Sequence, residues 1–266
     1  MNKPAAIPDD YVLTPHGLRH VEDIRLAEKN DHRPIGQAKH PPKDFNSLRQ
    51  LGPAGWVVSA FFTPSEPLKS MSVTFTVPEP PTKPGALIYL FPGAEGSQLA
   101  TIMQPALQYG YNNLFGGDCW TVACWQCTPS GVTRYSHPID VNPGDTIVGT
   151  IHCLDFHEDS CDWSIEAKVF GEPEERCTTL HAYDVDYLLL FLVAGALEVY
   201  SLEDPTSLPD FSQYPESGST KFHHIKLESL SGNSFRADWV TRRTTGDCGF
   251  RVLVSRDKSA VTLEYQ

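Results

Sequence analysis

From residue 55 onwards, short apolar or alternating runs recur along this chain, each cut off by a Gly, Pro, Asn or Asp turn. That rhythm constrains the fold more than any other feature. Residues 56–62 read as a strand. Residues 71–77 alternate apolar and polar side chains with period 2 and stop at Pro78. Similar runs occupy 87–91, 102–109, 120–127, 146–153, 163–170, 187–192, 196–202, 223–230, 237–242 and 251–262. Between them lie Pro92-Gly93, Gly116-Gly117-Asp118, Pro129-Ser130-Gly131, Asn142-Pro143-Gly144-Asp145, Gly171-Glu172-Pro173 and Gly246-Asp247. Prolines 78, 80, 81 and 84 make a stiff connector. Roughly a dozen short strands with no amphipathic helix longer than two turns predict an all-β protein, a sandwich or jelly roll of two antiparallel sheets.

Residues 1–50 have a different texture, polar and rich in basic side chains, with Pro41-Pro42 and little periodicity. They are expected to form an extended arm, with a short strand near 11–14, packed on one domain spanning 51–266. The 266 residues suit one large all-β domain, and 40% hydrophobic content can bury a sizeable core. A net charge of −12 and a pI near 5.2 argue against a nucleic-acid or anionic-membrane partner. The longest apolar stretch, around 188–197, is interrupted by Gly195 and is too short to span a bilayer. Residues 1–28 lack an apolar signal-peptide core, and there is no Asn-x-Ser/Thr sequon. The seven cysteines are scattered. Together these features lead us to expect a cytoplasmic protein with reduced thiols.

Gln104 and Glu198 stand out because each interrupts a segment that otherwise reads as a core strand. Alternation puts Ile102, Gln104, Ala106 and Gln108 on one face of their strand, and Ala196, Glu198, Tyr200 and Leu202 on one face of theirs. Such a face can be solvated, as in many antiparallel sheets. Otherwise the polar groups line a cleft or satisfy each other, since a buried polar group without a partner is costly.

The order of segments from residue 55 to 215 resembles the glutamic peptidases, or eqolisins. The matching segments are Leu87 to Gly93, Ile102-Met103-Gln104, Trp120 to Pro129, Pro143-Gly144-Asp145 and Ala196-Leu197-Glu198-Val199-Tyr200, followed by the acidic Glu203-Asp204. The resemblance implies a concanavalin-like β-sandwich. It also places Gln104 and Glu198 on the family's catalytic pair, in which the glutamate activates a water and the amide steadies the oxyanion. The chain departs from the pattern at Ile88-Tyr89-Leu90-Phe91-Pro92-Gly93, where the peptidases have Trp-Val-Gly-Ile-Asp-Gly, and at Gln126, where they have Glu. With no secretion signal either, the expectation is a repurposed cleft.

Aromatic residues are dense in the matching region. Tyr89, Phe91, Tyr109, Trp120 and Trp125, with Gln108 and Gln126, are expected to line the cleft and to suit a lipophilic small molecule. Cys124-Trp125-Gln126-Cys127 spells C-x-x-C, but on a strand its two thiols face opposite ways. His152 and His157 with Asp155 and Glu158, and the adjacent His223-His224, read more simply as surface groups than as metal ligands. No Gly-x-Ser-x-Gly, phosphate-binding or dinucleotide motif is present, so neither a metal nor a cofactor is expected.

Three functions fit. In overall likeness the chain resembles the intracellular hetero-Diels–Alderases of fungal biosynthetic clusters, which join an ortho-quinone methide to a terpene alkene, for example in tropolone sesquiterpenoids. That resemblance implies catalysis by Gln104, Glu198 and Tyr200, with Tyr109, Trp120 and Trp125 holding the hydrocarbon. The alternatives are a glutamic-peptidase-like hydrolase and a non-catalytic sandwich that binds carbohydrate or another ligand.

Overall fold

The computed structural model describes residues 11–14, 17–20, 55–96, 101–112, 114–128, 133–157, 160–171, 175–186, 189–202, 209–243 and 249–265. Two short strands, β1 (Tyr11–Thr14) and β2 (Gly17–His20), pair antiparallel. The first coincides with the strand expected near residue 11; the rest of the expected arm lies outside the described residues. Then come β3 (Gly55–Phe62), β4 (Leu68–Thr76), β5 (Ala86–Gly96), β6 (Ile102–Tyr109), β7 (Trp120–Cys127), β8 (Thr133–Tyr135) and β9 (Ile139–Val141). The chain continues through β10 (Thr146–Phe156), β11 (Ser160–Phe170), β12 (Glu175–Asp186) and β13 (Leu189–Ser201). A single 3-10 turn at Phe211–Gln213 is followed by β14 (Ser219–Ser229), β15 (Ser234–Phe235), β16 (Val240–Arg243), β17 (Phe250–Val254) and β18 (Val261–Tyr265).

These strands form two eight-stranded antiparallel sheets, the sandwich expected from the turn rhythm. One runs β12-β11-β10-β4-β14-β18-β17, with β15 on β14. The other runs β16-β3-β13-β5-β6-β7-β8, with β9 also on β7. Their facing sides enclose one core, including Val73, Phe75, Ile147, Trp163 and Phe222 from the first sheet and Ile88, Leu90, Leu107, Trp120, Val122 and Leu197 from the second. Two glycines let the sheets close up. A Cβ on Gly195 would lie 2.4 Å from the Phe222 ring, and one on Gly149 would lie 2.6 Å from the Pro105 ring. No helix among the described residues is long and apolar enough to cross a membrane.

The expectation of reduced thiols fails for one pair. Cys153 and Cys161 form a disulfide near the end of the β10–β11 ladder, Cα to Cα 6.1 Å, where a bulge after Cys153 shifts the register. Thiol state therefore gives no argument for a cytoplasmic location. Cys119, Cys124, Cys127 and Cys177 take part in no disulfide among the described residues. Cys124 lies in the core between the sheets and Cys127 on the opposite face of β7, as alternation requires.

Candidate active site

The sheet containing β5, β6 and β7 has a second apolar cluster on its far face, turned away from the other sheet. It comprises Leu87, Tyr89, Phe91, Ile102, Ala106, Ala123, Trp125, Cys127, Val193, Ala196 and Tyr200, with Trp56, Phe115, Tyr135 and Leu202 packed on it. Strand register sorts this face into rows. Glu198 lies opposite Tyr89, Tyr89 opposite Gln108, and Gln108 opposite Thr121. In the next row Ala196 lies opposite Phe91, and Ala106 opposite Ala123. Beyond it Val193 pairs with Gly93, while Gln104 pairs with Trp125 and Trp125 with Tyr135. Gly93 adjoins Gln104, since a Cβ on it would sit 3.5 Å from the Gln104 Cβ.

Glu198 is 2% exposed. Its Oε1 accepts the Tyr200 hydroxyl, and the Trp56 side chain bonds the same carboxyl. Burial pushes the Glu198 pKa well above the ordinary carboxyl range, against these two bonds, because a charge in an apolar setting loses its hydration. Tyr200 is raised too, first by burial and then by Glu198. Burial also raises Tyr89. Glu198 therefore keeps its proton far longer than a surface carboxylate does. Its Oε2 has no hydrogen-bond partner among the described residues.

Gln108 has a structural task. Its amide donates to Gly110 O (2.9 Å) and Phe115 O (3.1 Å) and accepts from Asn112 Nδ2 (3.0 Å). Asn112 also donates to the Tyr89 hydroxyl at 3.4 Å and accepts the Leu114 and Phe115 amides, each at 3.0 Å. Gly110, at φ +96°, lets this loop turn where a Cβ would strike Ala86 O at 2.5 Å. The fastened loop sets Phe115 against Trp125 (ring centroids 5.6 Å) and Tyr135 (5.3 Å).

Gln104 is 0% exposed, and neither its amide oxygen nor its nitrogen has a partner among the described residues. The indole nitrogen of its neighbour Trp125 is also unpartnered. Gln104 and Glu198 thus share one face without satisfying each other. They stand two strands apart and four residues apart along the strands, about 10 Å across by about 13 Å along at the backbone.

Tyr89, Phe91, Trp125, Tyr200, Gln104, Gln108 and Glu198 share the far face. Three expected cleft residues do not. Tyr109 and Trp120 lie in the core between the sheets, their ring centroids 5.2 Å apart, and Gln126 shares their side of β7. They were chosen for aromatic density and family position, whereas the period of 2 decides the face. The sequence reading missed Asn112, Phe115, Tyr135, Trp56 and Glu95. Glu95 is 3% exposed and shares the parity of Tyr89, Phe91 and Gly93, a signal that alternation could have supplied. Asn112 sits in a loop, where no periodic signal exists.

Among the described residues the histidines form no metal-ligating cluster. His157 lies 3.6 Å from Asp162 at the surface. His223 and His224 do not face opposite ways, because φ at His224 is +51° and the bulged strand brings their Nδ1 atoms to 3.1 Å. No cluster of metal-ligating side chains occurs among the described residues.

Comparison with solved structures places this sandwich. Scytalido-glutamic peptidase with a peptide-based transition state analog is 15% identical at TM-score 0.56, covering 80% of this chain and 98% of that one. SCP-B, a member of the eqolisin family of peptidases in complex with the tripeptide Ala-Ile-His, is 14% identical at TM-score 0.54 with the same coverage. The chain has the glutamic-peptidase fold. At such identity the likeness establishes the fold and not the reaction. No protein-family model matches the sequence, and no curated protein does.

Proposed function

We propose that the far face is the active site of an enzyme of natural-product biosynthesis that acts on an apolar small molecule with polar groups at both ends. The observation that supports this reading is the layout of the rows. A floor of Ala196, Phe91, Ala106 and Ala123 separates the Glu198–Tyr200 pair from Gln104, and the whole strip is buried. A polypeptide needs an open groove, whereas this strip is buried.

The reaction that suits the strip best is a hetero-Diels–Alder addition of an ortho-quinone methide to an alkene. Glu198, held protonated by burial, gives its proton to the benzylic hydroxyl of a phenolic precursor, which leaves as water. The phenol returns a proton to Glu198, leaving the neutral quinone methide. A hydrogen bond from Tyr200 or Glu198 to its carbonyl lowers the acceptor orbital, and the apolar floor holds the alkene in reach. Proximity of this kind supplies several kcal/mol of the barrier. Purified protein given an ortho-hydroxybenzyl alcohol and an isoprenoid alkene should form one adduct. Glu198→Gln should slow it by about 10²-fold or more. Unchanged rate and stereochemistry in both Glu198→Gln and Gln104→Ala would sink the assignment.

The fold comparison favours a second reading, a glutamic-type hydrolase, because the similar structures are peptidases and a Glu and a Gln share one face here. It predicts cleavage of a denatured protein at acid pH, lost in Glu198→Ala. Absence of cleavage from acid to neutral pH removes it. Ligand retention without any turnover would instead leave a binding sandwich.

A further inference from the structure

We propose that the exposed margin of the far face, where the Arg242 guanidinium lies over the Phe61 ring, is a recognition subsite for a single carboxylate on an otherwise apolar ligand. The proposal rests on the far face being a ligand site and names the class of that ligand, an aryl or alkyl carboxylic acid. It does not depend on any chemistry at Glu198.

Register carries Arg242 to the far face. It lies opposite Ser59, Ser59 opposite Ala196, and Ala196 opposite Phe91. Cross-strand partners share a face, so the row that floors the strip continues out to the edge strand β16 and ends on this guanidinium. The cation is held in place. Its Cζ stands 5.7 Å from the centroid of the Phe61 ring, within cation–π reach, and Phe61 lies opposite Val193 of the far-face cluster. The charge is also uncompensated. The chain carries a net charge of −12, yet among the described residues no carboxylate pairs with Arg242. Strands β3, β5, β6, β7 and β13 contain no lysine or arginine. Arg134 lies opposite Gln126 and Arg243 opposite Val58, both on the side of the sheet that meets its partner. Among the described strands of this sheet, Arg242 is therefore the one cation on the far face. A single guanidinium matches a monoanion and takes a carboxylate through two parallel hydrogen bonds, whereas a phosphate dianion would be left half-neutralised. The margin also meets water. Arg242 is exposed, and Trp56 and Phe61 are half-buried, so a ligand reaches them without any cavity in the closed rows behind. Trp56 stands edge-on to Phe91 at 5.5 Å and bonds the Glu198 carboxyl. Arg242 and Glu198 are two strands and two residues apart, about 10 Å across by about 7 Å along at the backbone. An acid held at Arg242 thus lays its apolar part over Phe61 towards Trp56.

The test is calorimetric titration of the full chain at neutral pH with hydrocinnamate. The comparison ligand is hydrocinnamyl alcohol, which keeps the ring and the chain but lacks the charge. The acid should bind the wild type at least tenfold more tightly than the alcohol, and added salt should weaken the acid alone. Arg242→Gln should remove that preference and leave binding of the alcohol unchanged. Arg243→Gln, which takes the same charge from the other side of β16, should keep the preference, and so should Glu198→Gln. Turnover is read separately. A preference for the acid that needs Arg242, in a protein that turns over no substrate, removes the enzyme reading and leaves the subsite standing; turnover of the ortho-hydroxybenzyl alcohol with no preference for the acid does the reverse. Equal binding of acid and alcohol, no binding of the acid, an undiminished preference in Arg242→Gln, or an equal loss in Arg243→Gln would overturn the subsite. Should Arg242→Gln not fold, Arg242→Lys decides: it keeps the charge without the planar fork, and a full preference there overturns recognition by the guanidinium.

Discussion

Along β10 and β11 buried and partly exposed residues alternate, whereas β5, β6 and β7 are buried at every position. The two sheets have the same size and the same antiparallel pairing, yet only one has a second buried face. In β10 and β11 the outward positions hold mostly polar side chains such as Thr150, His152, Ser164, Glu166 and Lys168, which water satisfies, with Val148, Leu154 and Phe170 as apolar exceptions. In β5, β6 and β7 they hold Tyr89, Phe91, Glu95, Gln104, Gln108 and Trp125, which water does not reach. The face between the sheets is mainly apolar, although it too holds unpartnered atoms, among them the Trp120 and Trp163 indole nitrogens and the Gln126 amide oxygen. The far face buries more polar side chains, Glu95, Gln104, Gln108 and Glu198, at a cost in stability.

The contrast can be broken by substitution. Trp120→Ala, on the face between the sheets, should lose about 3–5 kcal/mol in denaturant unfolding. A loss below about 1 kcal/mol would mean that this face is not a packed core. On the far face the sign should reverse. Gln104→Leu removes two unpartnered polar atoms from a buried site and should gain about 1–3 kcal/mol. A loss of stability there would show that the amide is satisfied.

Glu198 sharpens the contrast through pH. Its folded pKa lies well above the ordinary value of 4.5, so the native state holds a proton that the unfolded chain releases. The stability this group contributes is full below the unfolded value and is lost as pH rises towards the folded one. From about pH 4.5 upwards the wild type should therefore weaken relative to Glu198→Gln by up to about 1.4 kcal/mol per pH unit. Parallel urea titrations of both proteins at mildly acidic and neutral pH measure the slope, and identical pH dependence would mean that Glu198 is ionised in the fold. The smallest effect belongs to the solvated sheet. Lys69 and Glu228 pair at 2.8 Å, but both are about a third or more exposed, and Lys69→Ala should leave the denaturant midpoint almost unchanged.

Much of this could be read from the chain. The turn rhythm led to the sandwich, and alternation assigned Gln104, Ala106 and Gln108 to one face and Met103, Leu107 and Tyr109 to the other. Parity is a property of the strand itself, so it survives folding. What parity cannot say is which face meets water. On pattern alone Gln104 read more readily as a solvated side chain than as a buried one, because burial depends on what packs over the strand. The separation of Gln104 from Glu198 was also hidden, since register joins residues distant in the chain. Aromatic density misled for Tyr109 and Trp120, because both faces of a doubly buried sheet are aromatic.

The sequence by itself determined the all-β class and the sidedness of each strand, both of which follow from local backbone geometry. Only the tertiary structure decided that the Gln104 face is closed, that Gln108 is spent on a loop through Asn112, and that Glu198 and Gln104 stand at opposite ends of an apolar strip. Each of those depends on which strand lies beside which, and strand order is a long-range choice made by burial of the whole sheet rather than by any segment within it.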